Sequence, residues 1–172
     1  SWGDNEANFE KLCKYMNEKG YNFIIKLHNY ARLMIQNKRL HAIAKKYGAT
    51  WITKKSGFSI IDPWQLLHGV DLLISDISGI AIEYLPLDRP TVFVDVEYDD
   101  FWEIADLQKE DRPGDIVNDI DSLLAAISEN LENPNKYQNK RAALFKKVFG
   151  SMDGKSTERA CQAILDFAQS SR

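Results

Sequence analysis

The stretch Val70-Asp71-Leu72-Leu73-Ile74-Ser75-Asp76-Ile77-Ser78-Gly79 decides the fold. Its first six residues read as a strand. The run enters a tight turn at Asp76-Ile77-Ser78-Gly79. A short helix over Ile80 to Leu85 follows, broken by Pro86, and then a second strand at Thr91-Val92-Phe93-Val94-Asp95. Strand, helix and strand at this spacing predict a parallel sheet with right-handed crossovers.

The same alternation extends toward the N-terminus. Pro63 opens a short helix through Trp64, Gln65, Leu66 and Leu67, with Asp62 as its cap. Before it come a strand over Ala49 to Thr53 and a helix that carries Leu33, Ile35, Leu40, Ile43 and Ala44 and stops at Gly48. Tyr21 to His28, bounded by Gly20 and Asn29, reads as a further buried strand. A first helix, capped by Asp4 or Asn5, places Phe9, Leu12, Cys13 and Met16 at helical spacing. Toward the C-terminus, Asp115-Ile116-Val117 reads as an edge strand. Asp121 caps a helix with Leu123, Leu124, Ile127 and Leu131, Pro134 opens another with Leu144 and Phe145, and Asp153 precedes a last one with Ala160, Ile164, Leu165 and Phe167. The expectation is one Rossmann-like domain over residues 1–172, three-layered, with the helices from about 119 to 172 packing on it.

With 172 residues, 44% of them hydrophobic, the chain can bury one substantial core but is short for two full domains. A formal charge of -3 gives no basic face for nucleic acid. Cys13 and Cys161 stand far apart and neither belongs to a C-x-x-C, so neither a disulfide framework nor a zinc site is indicated, and a reducing, cytoplasmic setting fits. No apolar run approaches the roughly 18 residues that span a bilayer.

In an open parallel sheet, ligands bind beyond the carboxyl ends of the strands. Three such ends carry suggestive residues: Lys26-Leu27-His28, Ser75 to Gly79, and Asp95 with the loop after it. The small residues Ser78 and Gly79 would let backbone N–H groups approach an anion at a helix N-terminus, where a diphosphate could sit. The plainer alternative is that Asp76 or Ser78 merely caps the helix and Gly79 relieves crowding. Glu83, four residues after Gly79, could accept hydrogen bonds from ribose hydroxyls, or stand as an exposed helix charge. His28 could donate to a phosphate or act as an acid, or be satisfied by a neighbouring loop. His41 and His68 look structural, and the three histidines lack metal-ligand spacing. Gly154-Lys155-Ser156 is not a P-loop, because Phe149 occupies the position where that motif needs glycine. No G-x-G-x-x-G occurs, so a nicotinamide or flavin dinucleotide finds no support.

Several blocks, in order, resemble the C-terminal half of CDP-glycerol glycerophosphotransferases. They are Ile25-Lys26-Leu27-His28, Asp62-Pro63 with Leu66-Leu67, Asp71 to Gly79 with Glu83-Tyr84 and Arg89-Pro90, and Asp153-Gly154-Lys155-Ser156 with Glu158-Arg159. The resemblance implies the C-terminal half of a GT-B fold, in which two Rossmann-like domains face each other and this one holds the nucleotide donor. It implies transfer of glycerol phosphate, or a related polyol phosphate, from a CDP-activated donor to a teichoic-acid or surface-polymer acceptor, with no cofactor and no metal. By the same carry-over, His28 is the catalytic histidine, while Ser75, Asp76, Ser78 and Gly79 form the diphosphate turn. Glu83 takes the nucleotide-binding place of the family's aspartate, and Arg159 contacts phosphate. The chain departs from the pattern at Asn29, Ile77, Gly79 and Glu83, where the family has proline, tyrosine, serine and aspartate. These departures favour a divergent member whose polyol is open.

Ser1-Trp2 resembles the end of the family's P-T-W-R block, and the resemblance implies a piece that lacks its first strand and the acceptor domain. The expectation is that it binds weakly and turns over little alone, and that its parent works peripherally at the cytoplasmic face of a membrane. Two competing readings remain: the donor domain of another GT-B glycosyltransferase or an epimerase-like protein using a UDP-sugar, and a non-catalytic nucleotide-binding module.

Overall fold

The computed structural model describes residues 5–26, 37–52, 63–76, 78–95 and 109–170. Helix α1 spans Glu6–Glu18; the Asn5 side chain caps it by accepting from the backbone N–H groups of Ala7 and Asn8. Gly20, at φ 70°, ends it, and the Tyr21 N–H closes back onto the Met16 carbonyl. Strand β1 (Ile24–Ile25), helix α2 (Asn37–Lys46) and strand β2 (Thr50–Trp51) follow, and β1 pairs with β2 in parallel, Ile24 opposite Thr50. After α3 (Pro63–His68) come β3 (Leu73–Ser75), α4 (Gly79–Tyr84) with a 3-10 turn at Leu85–Leu87, β4 (Thr91–Val94) and β5 (Gly114–Val117). These three strands form a second parallel sheet in the order β3-β4-β5, with Ser75 opposite Phe93 and Phe93 opposite Ile116. Helices α5 (Ile120–Glu132), α6 (Gln138–Phe149) and α7 (Ser156–Ser170) complete the chain.

Helices cover both faces of the second sheet, giving the three layers expected. On one face Val92 meets Leu12 and Met16 of α1 and Leu123, Leu124 and Ile127 of α5. On the other, Phe93 meets Ala81 of α4, Leu85 of the 3-10 turn and Leu144 of α6. Successive strand residues alternate between these cores as the pleat requires, and burying Val92 or Phe93 fully contributes roughly 1.5–3 kcal/mol each. A third core joins Cys13 of α1, Ile25 of β1 and Ala44 of α2. Helix α1 therefore links the two sheets by presenting Leu12 to one and Cys13 to the other. β5 lies against β4 so closely that a Cβ at Gly114 would collide with the Thr91 carbonyl oxygen, and only glycine fits there.

Several boundaries differ from the sequence expectation. The strand expected over Tyr21 to His28 is paired at Ile24–Ile25, and the strand over Val70 to Ser75 is paired at Leu73–Ser75. The cap of α5 is Asp119, whose carboxylate accepts from the Ser122 N–H and hydroxyl; Asp121 lies in the first turn and meets Lys11 instead. Pro134 starts a turn, and α6 begins only at Gln138. Asp62, Leu33 and Ile35 lie outside the described residues. Helix α7, expected on the domain with its neighbours, buries none of its residues, and Ile164 and Phe167 are 68% and 74% exposed.

Candidate functional site

The carboxyl edge of the second sheet gathers Ser75, the last residue of β3, with Asp76 just after it, and Asp95 just after β4. Ser75 is buried at the last position of β3. The turn after it delivers Ser78 as the N-cap of α4 and Gly79 as its first residue. Ser78 has the extended backbone of a cap (φ -140°, ψ 146°), yet its hydroxyl makes no capping hydrogen bond. The plainer reading of Ser78 as a mere cap is therefore not what holds the helix. Gly79 is exposed, and a Cβ built on it would meet nothing within 4 Å among the described residues. It relieves no crowding; it leaves the approach to the turn open. Glu83 lies one turn further along α4, half-buried.

The base of this unit is rigid. The Tyr84 hydroxyl donates to the Val70 carbonyl at 2.8 Å, and Arg89 Nη1 donates to the same oxygen at 2.6 Å and to the His68 carbonyl at 3.0 Å. Burial pushes the Tyr84 phenol up to about 12, so it stays a neutral donor. Arg89, part of the resembling blocks, thus braces the approach to β3. His68 ends α3, and His41 sits edge-on to the Trp51 ring at 5.6 Å. Neither stands at the carboxyl edge.

Of the residues expected in the site, Ser75, Asp76, Ser78, Gly79 and Glu83 are brought together by one strand-turn-helix unit. Arg159 is engaged elsewhere: its Nη1 donates to both carboxylate oxygens of Asp153 at 2.9 Å, and its Nη2 to the Ser156 hydroxyl at 3.3 Å. With Asp153 also accepting from the Lys155 N–H, the Asp-Gly-Lys-Ser segment forms a self-closed turn at the start of α7. The guanidinium is the main reason the Asp153 carboxyl lies below its ordinary range. His28 lies outside the described residues.

Sequence reasoning missed Arg112. Its side chain is 5% exposed, its guanidinium lies 5.9 Å from the Phe93 ring centre, and its Nη1 is 3.7 Å from Asp95 Oδ1. Lys109 donates to the other carboxylate oxygen at 2.6 Å. An arginine in a charged loop gave no signal of burial; only the three-dimensional path of residues 109–112 reveals it.

A parallel α/β domain with helices on both sheet faces and an open turn at the carboxyl edge is a Rossmann-like domain. The chain belongs to the CDP-glycerol:poly(glycerophosphate) glycerophosphotransferase family, whose model matches residues 3–166. It is similar to the teichoic acid ribitol-phosphate polymerase TarL of Staphylococcus aureus, 28% identical over 163 residues, covering 93% of this chain and 27% of that protein. A teichoic acid glycerol-phosphate transferase of the same organism is 29% identical over 100 residues, 55% of this chain and 25% of that protein. Among solved structures, the wall teichoic acid polymerase TagF superposes with a TM-score of 0.59 at 22% identity, covering 94% of this chain and 39% of TagF. The chain thus spans about a quarter of the length of these curated relatives.

Proposed function

We propose that this chain is the donor-binding part of a polyol-phosphate transferase that takes a CDP-activated polyol, CDP-glycerol in the first instance. The observation that carries this reading is the open Ser75–Gly79 turn at the carboxyl end of β3, inside the region matched by the family model. Backbone N–H groups at Ser78 and Gly79, together with the Ser78 hydroxyl that makes no cap bond, would face the diphosphate, and Glu83 would accept from the ribose hydroxyls. The acceptor hydroxyl loses its proton to water as it attacks the phosphorus that bears the polyol, the bond from that phosphorus to the CMP oxygen breaks, and CMP leaves with the electron pair. His28 is the proposed group that interacts with the reacting phosphate. Arg159 serves the phosphate only if its pairing with Asp153 opens.

The acceptor polymer would be presented by a part of the protein beyond this chain, because transfer requires donor and acceptor to be held in register. No helix among the described residues is long and apolar enough to cross a membrane. A second donor, CDP-ribitol, is favoured by one observation: relatives named for ribitol phosphate match over nearly the whole chain.

The test is calorimetric titration of the chain with CDP-glycerol, CDP-ribitol, CDP and UDP, repeated on Ser78→Ala and Glu83→Ala. Cytidine compounds bind and UDP does not. Glu83→Ala lowers affinity by about 10-fold, the worth of a hydrogen bond to a charged group. Preference for UDP, or no effect of either substitution, sinks the donor-site reading.

A further inference from the structure

We infer that Asp95, held by Arg112 and Lys109, is a specificity-determining residue that accepts hydrogen bonds from the hydroxyls of the donor's polyol. This rests on the donor-binding reading above and assigns a role to the third strand end, which that reading leaves unused.

Placement comes first. Ser75, Phe93 and Ile116 are opposite one another in the parallel sheet, so their side chains share a face. Phe93 packs into the core of that face with Ala81 and Leu144. Asp95 is two residues beyond Phe93 and therefore points the same way as Ser75, toward the side on which α4 begins. From strand spacing and rise, its Cα lies about 8 Å from that of Ser75. That is within reach of a polyol joined to a diphosphate seated at the Ser78–Gly79 amides.

Electrostatics come second. A carboxylate beside a diphosphate would be repulsive if it were alone. Here Lys109 at 2.6 Å and Arg112 at 3.7 Å bring the trio to a net charge of +1, which an anionic donor tolerates. Arg112 is buried against Phe93 and cannot follow its partner, so the carboxylate is fixed from the protein side. At 3.7 Å the Arg112 contact is an ion pair and too long for a hydrogen bond, which leaves acceptor capacity on Oδ1. The Asp95 side chain remains 30% exposed. A fixed, partly exposed carboxylate with spare lone pairs is suited to vicinal hydroxyls, as acidic residues are toward ribose. Glu83 occupies that role for the nucleoside, so Asp95 falls to the polyol.

The experiment compares CDP-glycerol with CDP on the wild-type chain, Asp95→Asn, Asp95→Ala and Ser78→Ala, with thermal melting of each to establish that it is folded. CDP lacks the polyol and serves as the internal control. Asp95→Asn keeps the shape and lowers affinity for CDP-glycerol by about 5-fold, and Asp95→Ala by about 10-fold or more, while CDP binds as before. A structural role would weaken both ligands together or neither, so an unchanged CDP-glycerol to CDP ratio in Asp95→Asn overturns the inference. The donor-binding reading stands in that case, provided Ser78→Ala weakens both ligands. Wild-type chain that binds neither cytidine compound overturns the reading and the inference together.

Discussion

Arg141, almost wholly buried in α6, donates from Nε to Asp88 Oδ1 at 2.7 Å across 53 residues of sequence. Asp88 is the described non-glycine residue with positive φ (49°), and its second carboxylate oxygen accepts from Gln138 at 2.9 Å. One aspartate thus sets the left-handed corner that leads into β4 and ties that corner to α6. Asp88→Ala would leave the buried guanidinium with only the Pro134 carbonyl and impose strain at the corner. The expected loss is about 2 kcal/mol in urea unfolding, at the lower end for a charged pair because the carboxylate is half-exposed. The same pair gives the stability a pH signature. Burial acts to raise the Asp88 pKa, but the hydrogen bonds from Gln138 and Arg141 outweigh it and hold the carboxyl below its ordinary 3.8. Asp115 is likewise lowered, burial being outweighed by Asn130, Tyr137 and Lys136. A depressed carboxylate stabilises the fold fully above the unfolded value and loses that contribution as pH falls through the folded one. The gap in melting temperature between wild type and Asp88→Ala should therefore be constant near neutrality and narrow below pH 3.8 to the part that backbone strain contributes. A gap unchanged in acid would show that backbone strain alone is responsible.

Gly114→Ala should be among the most damaging single changes. The new methyl would meet the Thr91 carbonyl oxygen, which is backbone and cannot swing away, and would lie 3.1 Å from the Phe93 ring. A loss of about 3 kcal/mol or more is expected, as for overpacking in a core. Circular dichroism melts read it directly; an unchanged midpoint would mean that β5 can slide along β4.

The two thiols should differ sharply in reactivity. Burial, reinforced by the negative charge of Glu10, pushes Cys13 up to about 11, while Cys161 is exposed on α7. At pH 8 a chromogenic disulfide reagent should titrate one thiol quickly and the second only after unfolding. Cys161→Ser should abolish the fast phase; two fast thiols would contradict the burial of Cys13.

Helix α7 carries an apolar stripe without burying it. Replacing Ile164 and Phe167 together by serine should move the melting midpoint by less than about 2 °C, because exposed side chains contribute little to folding. A larger fall would mean that α7 packs on the domain.

The order of strands and helices was legible because the apolar runs are short and glycine, proline and aspartate punctuate them. The Ser75–Gly79 turn could be read for the same reason: strand, small residues and helix are contiguous. What could not be read depends on partners distant in sequence. From sequence Asp121 reads as the cap of α5, but the path of the helix gives Ser122 to Asp119 and sends Asp121 to Lys11. The stripe of Ala160, Ile164 and Phe167 looks like that of any core-facing helix, since periodicity records a face and not what covers it. Arg112 and Arg141 were invisible because charge predicts exposure, and each is buried through a carboxylate brought from another element.

Strands β3, β4 and β5 neighbour one another in the sheet in the order in which they occur in the chain, whereas α1 reaches α5 through Lys11–Asp121 and Tyr15–Ser128, more than a hundred residues apart. Closing the shorter loops costs less chain entropy, so the expected folding nucleus is the sheet, and α1 docks late. In chevron measurements Val92→Ala should slow folding, while Leu12→Ala should chiefly speed unfolding; the reverse pattern would place α1 in the nucleus. On this order the Ser75–Gly79 turn acquires its shape before α1 and α5 have met.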